Sequence, residues 1–339
     1  MNIELSIIIP HLQGAKNLCE CIESIQTDIN HEIIVIDNHS KDNSIEEAKK
    51  KFDYIKIIHS KINRGYAGGC NLGAQYANGE YLFFLNDDTV IDKNAIEILM
   101  QTIQSNQNIS SVQPKILNYY NKNQFDYAGA SGGYMDYLGY PFARGRILNT
   151  IEKDQHQYED KKKIFWASGT AFITKKSIFG KMNKFDEQLF AHMEEIDYHW
   201  KCHLNNYDVY VEPKAIIYHK GGSTLKYGSY KKIYLNHRNS MILFLTNNIN
   251  LSISNIIKRL LLEKVALIYY MVNINLKGVL AIIMGNLWWI ANINYILKRK
   301  KIIKQVSKNH KISSNLMLPY SIVKKYFLER KKYYTDVNQ

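Results

Sequence analysis

The first 90 residues alternate short, unbroken apolar runs with stretches of helical periodicity, and few folds accept that order. Leu5–Ile9, Glu32–Ile36, Tyr54–His59 and Tyr81–Leu85 have the length of strands. Leu18, Cys21, Ile22 and Ile25 recur at helical spacing after the first, and Ser44–Phe52 reads as a polar helix before the third. Asp92 stands where it would cap a helix running to about Ser105. Strands that are apolar along their whole length must be covered on both faces. The βαβαβαβα order therefore predicts an α/β fold built on a mainly parallel sheet.

From about 110 to 225 the pattern is less regular. Gly129, Gly132, Gly133 and Gly139 mark loops, and Trp166–Thr174 reads as a strand. Glu194–Leu204 reads as a helix, and Tyr207–Val211 and Ala215–Tyr218 as strands. From about 230 the chain turns helical and apolar. Gly278–Leu297 is 20 residues without a charge, the length a membrane-crossing helix needs. Asn286, Asn292 and Asn294 inside it, and Glu263, Lys264 and Lys277 before it, favour an interfacial or re-entrant element; a span and a buried core helix remain the alternatives. The expected division is an α/β domain over 1–230 and a helical, basic, membrane-associating region over 231–339.

Charge supports that division. Residues 1–297 carry 32 Lys/Arg against 29 Asp/Glu, whereas residues 298–339 carry 12 against Glu329 and Asp336 alone. A near-neutral body with a basic tail suits an anionic lipid surface better than a whole-surface nucleic-acid binder. A mean hydropathy of -0.31 excludes a polytopic membrane protein. Cys19, Cys21, Cys70 and Cys202 form no CxxC pair, so reduced thiols in a cytoplasmic protein are expected. No signal peptide is expected either, because Glu4 and Pro10 bound the first apolar run.

Ligands of open parallel sheets bind beyond the carboxyl ends of the strands. Two strands here end in acids, one at Asp37 and one at Asn86-Asp87-Asp88. Between them lies Asn63-Arg64-Gly65-Tyr66-Ala67-Gly68-Gly69-Cys70-Asn71-Leu72-Gly73, expected as a glycine-rich turn whose backbone N–H groups approach a ligand. One Asp after a strand is also an ordinary turn or cap; two acidic strand ends flanking such a turn are more specific. Adjacent Asp87 and Asp88 suit a divalent cation shared with substrate phosphates. A second acidic cluster follows at Asp186-Glu187 and Glu194-Glu195-Ile196-Asp197. Three acids in four residues exceed what a helix start needs, and burial would raise their pKa values together, as suits a general base. His219, after the last strand, is a candidate metal or phosphate contact.

Ser6–Pro10, Glu32–Ser40 with Asp42, Asn63–Gly73, Leu85–Thr89, Phe185–Phe190, Glu194–Asp197 and His219–Thr224 stand in an order that resembles family 2 glycosyltransferases, most closely their rhamnosyltransferase-like branch. The resemblance covers roughly residues 3–245. It implies a GT-A fold with a mixed sheet, and inverting transfer of a sugar from a nucleotide donor with Mg2+ or Mn2+. By the resemblance, Asp37 contacts the base or ribose, Asn63, Arg64, Gly68 and Gly69 line the nucleotide pocket, and Asp87 sits near the ribose. Asp88 binds the metal, with His219 as a further candidate ligand. Glu195 stands where the family has an Asp base, with Glu194 and Asp197 as substitutes. His11-Leu12-Gln13 replaces a common Tyr-Asn pair, and Arg238-Asn239 resembles a pair that approaches the diphosphate.

The expected partners are therefore a nucleotide-sugar donor, a glycan or lipid-linked acceptor and an anionic membrane surface, at the inner face of the cell membrane. A sugar-nucleotide pyrophosphorylase is the nearest enzymatic rival, though it would carry Arg and Lys in the turn after the first strand, where this chain has His11-Leu12-Gln13-Gly14. A non-catalytic membrane scaffold, and a nucleic-acid binder acting through the basic tail, are the rivals from other classes.

Overall fold

The apolar runs pair as expected. Strands β1 (Leu5–His11), β2 (His31–Asp37), β3 (Lys56–His59) and β4 (Tyr81–Leu85) lie parallel in the order β3-β2-β1-β4. Helices α1 (Ala15–Glu23), α2 (Ser44–Lys51), α3 (Gly65–Tyr76) and α4 (Ala95–Gln104) connect or follow them. Side chains alternate across a strand, so each strand feeds two cores. Ile7, Ile9, Val35 and Phe83 meet α1, α2 and α4 on one face, whereas Ile8, Ile34 and Phe84 meet α3 on the other. The computed structural model describes residues 3–221, 228–308, 312 and 316–337, so Gly222-Ser223-Thr224 of the expected motif lie outside the described residues.

Beyond β4 the sheet is mixed. After β5 (Thr89–Ile91), β6 (Ile109–Asn118) completes the first half. A second, five-stranded sheet uses β7 (Gly133–Asp136), β8 (Pro141–Ala143), β9 (Arg146–Ile147) and β10 (Thr150–Ile151). The chain then returns to the main sheet through β11 (Lys162–Lys163) and β12 (Ala171–Lys175), and β12 lies antiparallel between β4 and β6. Helices α5 (Lys176–Lys181) and α6 (Glu194–His203) follow, and β13 (Asp208–His219) runs parallel to β6. The two strands expected over 207–218 are this one strand, with a register shift between Glu212 and Ile216.

The last third is helical: α7 (Tyr230–Asn247), α8 (Ile253–Val272), α9 (Leu276–Ala291) and α10 (Ile293–Val306). Its end returns to the body. β14 (Met317–Leu318) pairs with β7, ahead of α11 (Ile322–Phe327) and α12 (Tyr334–Val337). Asp136 accepts from Ile322 N at 3.0 Å, and Glu152 accepts from Tyr334 N at 3.0 Å. The uncharged stretch 278–297 is divided between α9 and α10, which bend by 70° at Asn292. No single helix among the described residues is long and apolar enough to cross a membrane.

Two local expectations are corrected. Asp92 is not a side-chain cap; Asn94 precedes α4 with a left-handed φ of 61° and no capping bond. The stretch Gly65–Gly73 is not a turn but most of α3. Its glycines serve helix-to-sheet approach: a Cβ on Gly73 would lie 2.4 Å from Ile8 Cγ2. Gly73→Val therefore has to push α3 off β1, and should lower stability by about 1–3 kcal/mol in urea unfolding. Gly180→Ala meets nothing within 4 Å and should be neutral or stabilising by up to about 1 kcal/mol.

Candidate active site

His11, Asp37 and His59 stand in register at the ends of β1, β2 and β3, and Asn86-Asp87-Asp88 leave the end of β4. Parallel pairing thus gathers polar residues from distant sequence at one sheet edge. A cavity of about 270 Å³ opens there, walled by His11, Asp87, Asp88 and His219 on one side and by Glu194, Glu195, Lys231 and Lys232 on another.

The first side is a chain of buried partners. His11 Nδ1 lies 2.6 Å from Asp87 Oδ2, and its Nε2 lies 2.7 Å from Ser44 Oγ. Burial raises the Asp87 pKa, with the His11 hydrogen bond opposing. His219 Nε2 is 3.1 Å from Asp88 Oδ1, and Nδ1 is 2.9 Å from Asp126 Oδ1. Burial favours the neutral ring, but the Asp126 and Asp88 carboxylates outweigh it and hold His219 up to about 10. A carboxylate oxygen and an imidazole nitrogen this close, with the second ring nitrogen oriented by another carboxylate, form a donor set that fits Mn2+ or Mg2+. His219 would release its Nε2 proton to ligate.

The second side comes from the start of α6. Glu194 Oε2 and Glu195 Oε2 are buried and have no hydrogen-bond partner among the described residues. Burial pushes Glu195 up to about 7, although backbone N–H groups of the helix start and of Gly169 pull the other way. Burial and the neighbouring Glu195 raise Glu194 as well. Asp197 behaves oppositely. It is 0% exposed and not part of the cavity wall. It ion-pairs with Arg299 Nη2 of α10, meets Lys201 Nζ at 3.1 Å and accepts from Asn247 Nδ2 at 2.7 Å. Burial is outweighed by Arg299 and Lys201, which hold this carboxyl well below the usual range. The expected joint rise is corrected: two acids rise and the third, paired with α10, falls. Asp197, ion-paired and off the cavity wall, is not brought together with Glu194 and Glu195 at the cavity.

Other candidate residues sit behind the wall. Asp37 accepts from Ser40 N at 2.8 Å and lies 2.8 Å from His59 Nδ1. Burial opposes its charge, but these partners keep its pKa low. Its neighbour Asn38 reaches the cavity and fixes the entry to α3, accepting from Arg64 N and donating to Gly65 O, both at 2.9 Å. Asn63 lines the cavity and accepts from Gly65 N at 2.9 Å. Gly65 has φ +67°, and a Cβ there would come within 2.3 Å of Phe190 O. Gly68 and Gly69 do not line the cavity: Gly69 packs against Pro10 and Asn38, which do, and Gly68 faces the Arg64 side chain. Arg64 pairs with Glu187 at 2.9 Å in a shallow outer groove. Arg238 donates to Gln188 O at 2.8 Å and Leu189 O at 3.1 Å, so it clamps the loop before α6 rather than entering the cavity.

Sequence reasoning missed five contributors. His11 could have been found as a polar residue at a strand end. Lys231 and Lys232 carry only the weak signal of adjacent lysines after His219. Asp126 sits in an irregular segment with no signal at all. His192 lines the cavity with Nε2 unpartnered, and burial with the nearby Lys232 charge lowers it to about 4.

Residues 6–182 match the family described as Glycosyl transferase family 2. Glycosyltransferase GlyG of Streptococcus pneumoniae serotype 4 is 33% identical over 127 residues, 36% of this chain and 41% of that protein. Low-salt glycan biosynthesis hexosyltransferase Agl10 of Haloferax volcanii is 26% identical over 247 residues, 70% of this chain and 75% of that protein. The crystal structure of GalNAc-T7 with UDP, GalNAc and Mn2+ superposes with a TM-score of 0.58 at 17% identity, covering 72% of this chain and 48% of that one. That likeness bears on the fold, a GT-A arrangement, alone. The chain spans under half the length of GlyG and several other relatives it matches.

Removing one partner of a buried ion pair strands the other. Arg299→Met should cost about 3–5 kcal/mol in denaturant unfolding, and adding Asp197→Asn should recover part of that loss. Glu195 titrates higher in the folded chain than its ordinary 4.5, near 7. Its burial therefore costs nothing below pH 4.5, and stability falls as pH rises through 7. Glu195→Gln should gain about 1–3 kcal/mol relative to the parent at pH 8 and none at pH 4, read from paired melting curves.

Proposed function

This chain belongs to glycosyl transferase family 2, and from that premise and the geometry of the cavity we propose that it transfers a hexosyl group, with inversion, from a nucleotide-diphospho-sugar to a hydroxyl of a glycan or lipid-linked acceptor. The observation that carries the reading is the meeting of Asp87, Asp88 and His219 with Glu194 and Glu195 around one cavity, although more than 100 residues separate the two acidic clusters in sequence. The rhamnosyl variant of the reading rests on the order of the sequence motifs.

Asp88 and His219 would hold Mn2+ or Mg2+, which when bound supplies positive charge for the diphosphate leaving group. The remaining chemistry belongs to side chains. Asp37 and Asn38, at the end of β2, would orient the nucleoside. Lys231 and Lys232 would face the diphosphate across the cavity. Glu195 would take the proton from the acceptor hydroxyl as its oxygen attacks the anomeric carbon and the nucleoside diphosphate leaves. One displacement with no glycosyl-enzyme intermediate gives inversion. A base near pKa 7 is about half ionised at neutral pH and still accepts a proton well. Glu194 sits beside it, its own pKa raised by burial and by Glu195.

The test is nucleoside diphosphate release from a panel of nucleotide sugars with Mn2+ or Mg2+, with the product anomer read by NMR. Asp88→Ala should lose metal-dependent turnover while still folding, with a lowered melting temperature because His219 loses a buried partner; full turnover with unchanged chelator sensitivity removes Asp88 from the metal site. Glu195→Gln should retain donor affinity and lose about 10²–10⁴-fold in kcat. In the parent, kcat/KM should fall below about pH 7 with a slope of one, from the protonation of Glu195. A Glu195→Gln variant with parental kcat would transfer the role to Glu194. Release of no nucleoside diphosphate from any donor, or a retained anomer, counts against the whole reading.

A further inference from the structure

Helices on a protein surface ordinarily turn apolar residues in and charge out. α8 does the reverse. Arg259 and Glu263 are 0% and 3% exposed and pair at 3.0 Å against the body, where Arg259 Nη1 also donates to Leu138 O. On the other face, Ile257, Leu261, Val265 and Ile268 are each more than half exposed at helical spacing. α9 also leaves an aliphatic face outside: the small residues Gly278, Ala281 and Gly285 with Ile282 face inward, and Leu276, Leu280, Leu287 and Ile290 face outward. Ile274, in the turn between the two helices, is 83% exposed. Among the described residues, 19 of the 27 large exposed hydrophobic side chains lie between 253 and 306, so this is a concentrated surface rather than the usual scatter.

Charge narrows what can cover it. Between 253 and 306 the single acid is Glu263, and it is buried, whereas Lys258, Lys264, Lys277, Lys298, Lys301 and Lys304 are exposed. A second copy of the chain would set lysine against lysine across a two-fold contact. A lipid surface with anionic headgroups matches both properties, taking the aliphatic side chains among its acyl chains and the lysines at its phosphates. Trp288 and Trp289 are partly turned inward, Trp288 against Arg238, so the contact face is aliphatic.

We propose that the outward faces of α8 and α9, with the lysines of α8–α10, seat this protein on an anionic lipid monolayer without crossing it. The seat lies close to the cavity. A Cβ on Gly285 of α9 would be 3.4 Å from Arg238 N of α7. Arg238 is seven residues from Lys231 of the cavity wall, about 10 Å along a helix. If the transferase reading holds, an acceptor anchored in that monolayer is presented at the cavity mouth; the seating itself does not depend on that reading.

Flotation of the full chain with phosphatidylglycerol-containing and with pure phosphatidylcholine vesicles tests it. The parent should float with the anionic vesicles, and high salt should weaken that binding. The combined variant Leu261→Asp, Leu280→Asp, Leu287→Asp changes only half-exposed positions and should keep its melting temperature. It should lose vesicle partitioning by at least about a hundredfold. The combined Lys258→Gln, Lys264→Gln, Lys277→Gln variant should lose at least about tenfold on anionic vesicles. Three outcomes overturn the proposal: a parent that ignores anionic vesicles, an aspartate variant that floats like the parent, or a soluble dimer that the same aspartates dissolve while vesicles bind nothing. Donor turnover that survives a failed flotation removes the seat and leaves the transferase reading standing.

Discussion

A carboxylate with no access to water has to be neutralised by protein or lose its charge. Asp197 is the group on which that demand falls hardest. It lies one turn into α6, and Arg299, Lys201 and Asn247 answer it from α10, its own helix and α7. Arg299 also donates from Nε to Asp186 at 2.9 Å, and Tyr295 Oη donates to the same carboxylate at 2.6 Å. The loop before α6, α6 itself and the last long helices are thereby tied at one point. The position of Glu194 and Glu195 on the cavity wall depends on that point, because they occupy the turn it anchors.

The same arrangement separates three acids that sequence cannot tell apart. Asp197 remains ionised because cations reach it. Glu194 and Glu195 are raised by burial. Two acids whose pKa values burial raises, on one side of a cavity, and an ionised acid held out of it by cations, let one helix start both line a cavity and anchor the fold. Arg238 and Asn239 act on the same loop. Asn239 Nδ2 donates to Leu189 O at 2.9 Å, Ala191 O at 3.0 Å and His192 O at 2.7 Å. The Arg238-Asn239 dipeptide thus supports the site from behind by satisfying loop carbonyls.

In the helical third of the chain, inward charge is paired with protein groups. Arg259, Glu263 and His237 form one buried group, with His237 Nδ1 2.7 Å from Glu263 Oε2. Burial disfavours the Glu263 charge, yet His237 and Arg259 keep its pKa low. The charged face of α8 and the small-residue face of α9 are used up in packing on the body, which is the physical reason the aliphatic faces of both helices are left outside.

The residues alone determined the strands β1, β2 and β4, the helices α1, α2 and α6, and the acids Asp37, Asp87, Asp88, Glu194 and Glu195 as the ones worth attention. Those signals are local: apolar runs, helical spacing and acids at strand ends. The tertiary structure decided what is non-local. The antiparallel entry of β12 and the two-residue strands β9, β10 and β14 have too little pattern of their own, and pairing with distant strands makes them. α3 reads as a glycine turn because its small residues answer to Ile8 and Pro10 across the sheet, not to helix propensity. Asp126 reaches His219 from 93 residues away, and Arg299 reaches Asp197 from 102. No spacing rule carries a charge pairing over such a distance, so the sequence could name the acids but only the fold could say which of them stays ionised.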